Sequence, residues 1–146
     1  IDPGIIIFLE KKGHDIDKIL NLESGFKGLT GYTDFRDILK HKSKNKQVKL
    51  TYDIFIYQIV KYIGAYIAVL DGLDNLVFTG AIGENSWQLR EEVAKHLDYL
   101  KIKIDKIKNN KNKEIISSKT SKVKVLVRQA NEDEIMLREV LKILKK

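Results

Sequence analysis

From residue 45 to 70 the apolar positions Val48, Tyr52, Phe55, Ile59, Tyr62, Ile63, Tyr66 and Leu70 recur at the spacing of one helical face. They predict a helix of roughly 38 Å at 1.5 Å per residue. Ile54, Ile56, Val60, Ile67 and Val69 make its other sides apolar as well. Most of the second half is therefore expected to lie buried between a sheet and another layer or subunit, its tyrosines serving as core residues with polar tips. Next, Leu76, Val77 and Phe78 form a short unbroken apolar run after Asp71-Gly72, the look of a central strand buried on both faces. Gly80 and Gly83 then permit a tight turn, and Asn85 or Ser86 can cap a helix. Trp87, Val93, Leu97 and Leu100 line one face of that helix through about residue 100.

The flanking patterns are shorter. Pro3 near a first turn and Gly13 as a stop suit a helix over 3–12, Asp15 can cap 16–22, and Thr33 with Asp34 can cap 35–41. The glycine-punctuated stretch 24–31 reads as a loop. Beyond residue 100, 101–105 alternates like an edge strand blunted by lysines, 109–113 reads as a polar loop, and 115–116 and 122–127 read as strands. The last of these is expected beside 75–79 across a right-handed crossover. A final helix starts at 130–131 and carries Ile135, Met136, Val140, Leu141 and Leu144.

The chain has 146 residues, one domain's worth, with 43% hydrophobic and 32% charged residues, one proline and nine glycines, so it is globular rather than disordered or collagen-like. Without cysteine it has neither a disulfide scaffold nor a thiolate metal site. No run approaches the roughly 18 consecutive apolar residues of a membrane span, which points to a soluble, cytoplasmic protein without a membrane partner. The net charge of +7 can mark a nucleic-acid binder. The excess, however, is lysine scattered among Ile and Asn, and the run at 101–113 reads as a solvated edge and loop, so no nucleic acid is expected. The opening Ile1-Asp2-Pro3-Gly4, with no methionine or signal segment, reads as a cut end.

The chemistry concentrates in three places. After the strand at 75–79, glycines that let backbone approach a ligand, followed by N–H groups at a helix start, suit a phosphate or nucleotide, although a plain strand-to-helix turn has the same pattern. At 34–36, Asp34 could accept from ribose hydroxyls and the Arg36 guanidinium could stack on a base. The alternative is a capping aspartate beside an exposed arginine. At 131–134, Asn-Glu-Asp-Glu opens the last helix, where acidic groups ordinarily offset the macrodipole by about 0.3–1 kcal/mol each. His14, His41 and His96 have no metal-site spacing and read as surface residues. There is no P-loop, zinc pattern, repeat or heptad.

Phe78-Thr79-Gly80-Ala81-Ile82-Gly83-Glu84-Asn85 resembles the Phe-Thr-Ala-Gly-Ile-Gly-Glu-Asn signature of the acetate kinase family, with Ala and Gly exchanged. Gly31-Tyr32-Thr33-Asp34-Phe35-Arg36, Ala130-Asn131-Glu132-Asp133 and Ile1-Asp2-Pro3-Gly4 resemble further family segments in the same order. So does Lys61-Tyr62-Ile63-Gly64-Ala65-Tyr66. The resemblance implies the C-terminal part of an acetate kinase over residues 1–146, one incomplete nucleotide-binding domain. Its fold class would be α/β, of the actin-like ATPase (ribonuclease H-like) type, helix-rich with a small sheet. The implied reaction is ATP plus acetate giving acetyl phosphate and ADP. Base and ribose would meet Asp34, Phe35 and Arg36, ribose and phosphates would meet Ala81, Ile82, Gly83, Glu84 and Asn85, and Glu132 would serve Mg²⁺. The catalytic arginines and aspartate of the family lie upstream of Ile1, so none is expected here. A homodimer is implied. The alternatives are a propionate or butyrate kinase fragment and a non-enzymatic dimerising or basic binding module.

Overall fold

The computed structural model describes residues 1–144, apart from the side chains of Glu132 and Glu139. Their contacts form two compact units, Ile1–Tyr57 and Gln58–Lys146.

The first unit is helical. α1 (Pro3–Lys11) is capped by the Asp2 carboxylate, which accepts the Gly4 N–H at 2.7 Å, and α2 (Ile16–Leu22) by Asp15, which accepts the Lys18 N–H at 3.0 Å. The stretch expected as a loop is instead α3 (Gly25–Thr30). Its two glycines serve different ends: Gly25 opens the helix at φ 62, and a Cβ on Gly28 would lie 2.2 Å from the Glu23 carbonyl oxygen, a clash no side chain tolerates. α4 (Phe35–His41) and the start of α5 (Lys46–Leu70) complete the unit. Phe35, Ile38, Val48, Tyr52 and Ile56 form its core, with the Phe35 ring 5.4 Å from Phe55 and 5.9 Å from Phe26. His41 is not the surface residue expected. It is half-buried, stacked on Tyr32 at 4.8 Å, with Nδ1 2.9 Å from the Asp37 carbonyl oxygen.

In the second unit the end of α5 departs from expectation. Tyr62, Tyr66, Val69 and Leu70 share one face and are 62%, 64%, 80% and 68% exposed, so this half is not buried and these tyrosines are not core residues. By length and composition alone α5 is long and apolar enough to cross a membrane, and little of its apolar window is buried within this chain.

β1 (Asn75–Phe78) leads into α6 (Gly80–Asn85), α7 (Trp87–His96) and α8 (Lys106–Asn110); β2 (Lys124–Val127) and α9 (Glu132–Leu144) follow. α8 begins at Lys106, where no element was expected, and runs into the first two residues of the expected polar loop 109–113; Asp105 caps it by accepting the Ile107 and Lys108 N–H groups. β1 and β2 pair in parallel, with Leu76 opposite Val125 and Phe78 opposite Val127. β1 is not the central strand: Val77 is 48% exposed, and it is β2 that takes a second neighbour, through the antiparallel bridge of Leu126 to Ile115. The segments 101–105 and 115–116 contribute only isolated bridges, Ile104 to Ser117 and Ile115 to Leu126. Leu89, Val93 and Leu97 from α7 and its end pack in a core with Ile102, Ile116, Val123 and Val125. The helix-rich α/β composition with a small parallel sheet agrees with the fold class expected.

Candidate functional site

Because Phe78 pairs with Val127, the loops after β1 and β2 leave the sheet at the same level, where open parallel sheets bind ligands. The Arg128 N–H donates to the Phe78 carbonyl at 2.9 Å, extending the ladder by one bond. Gly80 has φ 72, a left-handed value suited to glycine, whereas Ala81 sits within the helix. In this chain the exchanged Gly-Ala order therefore puts glycine where positive φ is needed. The turn is longer than expected, a six-residue α6 before α7. Ser86, rather than Asn85, caps α7, its Oγ accepting the Leu89 N–H at 3.2 Å; the Asn85 amide donates to the Ala81 carbonyl instead.

Glu84 joins the two loops. One carboxylate oxygen, Oε1, accepts the Gly80 N–H at 2.9 Å and the Ala130 N–H at 2.8 Å. The structure thus brings together two segments singled out in the sequence, 80–85 and 130–131. It also shows that the Gly80 N–H, in the turn expected to bring backbone close to a ligand, is occupied by the protein's own carboxylate. Beside them lies an open groove of about 420 Å³, lined by Glu84, Asn85, Asn112, Glu114, Arg128 and Gln129 among others. Arg128 and Glu114 pair across it at 2.6 Å.

The sequence reading missed Arg90. Its side chain is fully buried, and the planar fork donates to the carbonyls of Gly83 (2.7 Å) and Glu84 (2.8 Å), to Oδ1 and the carbonyl of Asn109 (2.7 and 2.8 Å), and to Asn112 Oδ1 (2.6 Å). Burial holds its pKa below the ordinary arginine value. The signal was present: Arg90 stands three residues before Val93 and seven before Leu97, a charge on the apolar stripe.

Asp34, Phe35 and Arg36 belong to the first unit. Asp34 caps α4, accepting the Arg36 N–H at 2.7 Å, and binds the Arg36 side chain through Nε at 3.0 Å and Nη2 at 2.5 Å. These bonds hold the Asp34 carboxyl at about 2, the side-chain bond contributing most. The capping alternative thus describes Asp34, and Arg36 remains a planar cation with an 89% exposed side chain, fixed at one edge. Phe35, expected at a base, has its ring in the core; it is 7% exposed. Glu132 opens α9, and its side chain lies outside the described residues. Among the described residues no three His, Asp or Glu side chains are grouped to hold a metal.

The family model of the acetokinase family matches residues 1–138. The acetate kinases of Carboxydothermus hydrogenoformans and Thermosipho africanus are 43% and 45% identical over 150 and 156 residues, which is 98% and 100% of this chain and 38% of each relative. Among solved structures, Entamoeba histolytica acetate kinase superposes with a TM-score of 0.87 at 31% identity, covering 97% of this chain and 40% of that one. A propionate kinase of Francisella tularensis gives 0.80 at 33% identity over 90% of this chain and 35% of its own. The matched order of segments, the joined loops at the sheet's carboxyl edge and this coverage lead to one conclusion: the chain belongs to the acetokinase family and spans about 38% of the length of the curated relatives it matches.

Proposed function

We propose that this chain forms the nucleotide-binding C-terminal part of an acetate kinase, which transfers the γ-phosphoryl of ATP to acetate to give acetyl phosphate and ADP. The observation that carries the reading is the Glu84 link between Gly80 and Ala130, which fixes two strand-end loops beside a polar groove. Phosphoryl transfer depends on positioning and on stabilising charge rather than on covalent chemistry by the protein, so a rigid backbone cradle is the contribution such a part would make.

In this reading ribose and phosphates lie along Ala81, Ile82, Gly83, Glu84 and Asn85. The base and ribose meet the Asp34–Arg36 pair, Arg36 through its exposed face and Phe35 through its backbone. Magnesium commonly keeps one or two carboxylates and the substrate's phosphates as ligands. In this reading the ion arrives with the nucleotide's phosphates, and Glu132 is the residue proposed to contact it. Acetate and nucleotide are the proposed substrates of the whole protein, which would be a cytoplasmic homodimer without nucleic-acid or membrane partners. Propionate is the second reading, favoured by the likeness to the Francisella tularensis enzyme.

Amide-shift mapping with ADP and Mg²⁺ tests the reading. Residues 34–36 and 81–85 should respond together. A response in only one segment, or in 101–113 instead, refutes it.

A further inference from the structure

We infer that Arg90 is a positioning residue for the nucleotide: with Asn109 and Asn112 it sets the backbone of α6 and one wall of the groove, so that the ligand meets a loop already in place. The inference rests on the nucleotide reading above. A guanidinium has five N–H donors in a fixed fork, and all five of Arg90 are directed at oxygens. None of those oxygens is a carboxylate. Two are carbonyls of the last turn of α6, which have no intrahelical partner and carry the negative end of the helix dipole.

The remaining acceptors extend the framework. Asn109, 1% exposed, gives Arg90 its carbonyl and side-chain oxygen and returns its amide to the Trp87 carbonyl at 2.9 Å, closing a ring through α6, α7 and α8. Asn112 holds a left-handed φ of 48 while its Oδ1 accepts from Arg90, and the same residue lines the groove. Left-handed backbone suits an asparagine just past a helix end, where the Lys113 N–H closes on the Lys108 carbonyl at 3.0 Å, and it leaves the Asn112 side chain to meet Arg90. Glu84 is thereby held twice, its carbonyl by Arg90 and its carboxylate by Gly80 and Ala130. A lysine ammonium at position 90, with three donors and no fork, cannot reach both α6 carbonyls and both asparagines.

The test uses the full chain, with ADP affinity and amide hydrogen exchange measured on the wild type, Arg90→Lys and Asn112→Gly. In Arg90→Lys the amides of residues 80–86 should exchange at least tenfold faster and ADP should bind at least tenfold more weakly, while Val125 and Leu126 keep their protection. Asn112→Gly keeps a permissive backbone and loses one of the five bonds; it should speed exchange at 83–86 several-fold with the strand unaffected. This variant carries the test if Arg90→Lys does not fold. Unchanged exchange in α6, or acceleration there only in step with Val125 and Leu126, overturns the positioning role. Should the wild type bind no ADP, the nucleotide reading falls while the exchange measurement still decides the role of Arg90.

Discussion

Replacing Glu84 separates the loop link from everything else in the second unit. Its Oε1 accepts two backbone N–H groups, Gly80 in a half-buried setting and Ala130 at the surface. Hydrogen bonds to a charged group are worth about 1.5–3 kcal/mol each. Water can replace the acceptor at Ala130, so that bond belongs at or below the low end, whereas the Gly80 N–H loses its partner where water reaches it poorly. Glu84→Ala should therefore cost about 3 kcal/mol. Glu84→Gln keeps an oxygen in place and loses the charge assistance, which roughly doubles such bonds, so it should cost about half as much. Urea unfolding followed by far-UV circular dichroism gives the stability change, and exchange at the Gly80 and Ala130 amides locates it. At about 1.4 kcal/mol per tenfold, the alanine variant should accelerate those two amides about a hundredfold if they open locally. A cost below about 1 kcal/mol, or equal acceleration across β1 and β2, would refute the link as the device that fixes the loops.

Gly80→Ala introduces no clash, since nothing lies within 4 Å of the added Cβ, but it forces alanine to φ 72 and should cost about 1–2 kcal/mol; a variant as stable as the wild type contradicts this. The Asp34 carboxyl should titrate near 2 by carbon-detected NMR, and Arg36→Gln should move the midpoint up toward the ordinary 3.8. Because the folded value is depressed, the Asp34 contribution is complete above the unfolded value and disappears as pH falls from about 3.8 through 2, so a titration midpoint near 3.8 in the wild type contradicts the pairing. The chain alone, given ATP, acetate and Mg²⁺, should yield no hydroxamate-trapped acetyl phosphate, while mixing it with the N-terminal portion of an acetate kinase should yield some; one arginine absent from such a transition state costs roughly 10³–10⁵ in rate. Sedimentation velocity should show concentration-dependent association of the chain that Tyr62→Glu with Val69→Glu abolishes, and association persisting in that variant rules out this face.

Local signals in the sequence were legible where one residue decides one bond. Asp15, Asp34 and Ser86 cap the helices their positions suggested, because a short polar side chain before an apolar period has few better uses. The long α5 and the parallel neighbour of β1 followed from periodicity in the same way. The glycines were ambiguous in kind. At Gly80 the residue serves positive φ, but at Gly28 it serves the close approach of the Glu23 carbonyl within a helix, and a glycine in a sequence does not distinguish the two. Arg90 and Glu84 were harder still. Beside partners four to seven residues away, each has distant ones, 19 and 22 residues away for Arg90 and 46 for Glu84, and no local rule connects such positions. The family signature points to Glu84 as a ligand contact, and nothing in it signals that the carboxylate also ties loop to loop.

The two misjudged burials, β1 and the end of α5, share a cause. Hydrophobic periodicity reports that a face requires a cover; it carries no information about which atoms supply it. Within this chain Val77 keeps 48% of its surface and the stripe Tyr62, Tyr66, Val69 and Leu70 keeps more than 60% at each position. Contiguous exposed apolar surface of this kind marks an interaction face, and at about 25 cal/mol per Å² even partial cover of four large side chains is worth several kcal/mol. The loops built on Glu84 and Arg90 need no such cover, since their bonds close within residues 80–130. Cradle and exposed stripe are therefore separable, and a substitution on α5 that abolishes association should leave exchange at Gly80 and Ala130 unchanged.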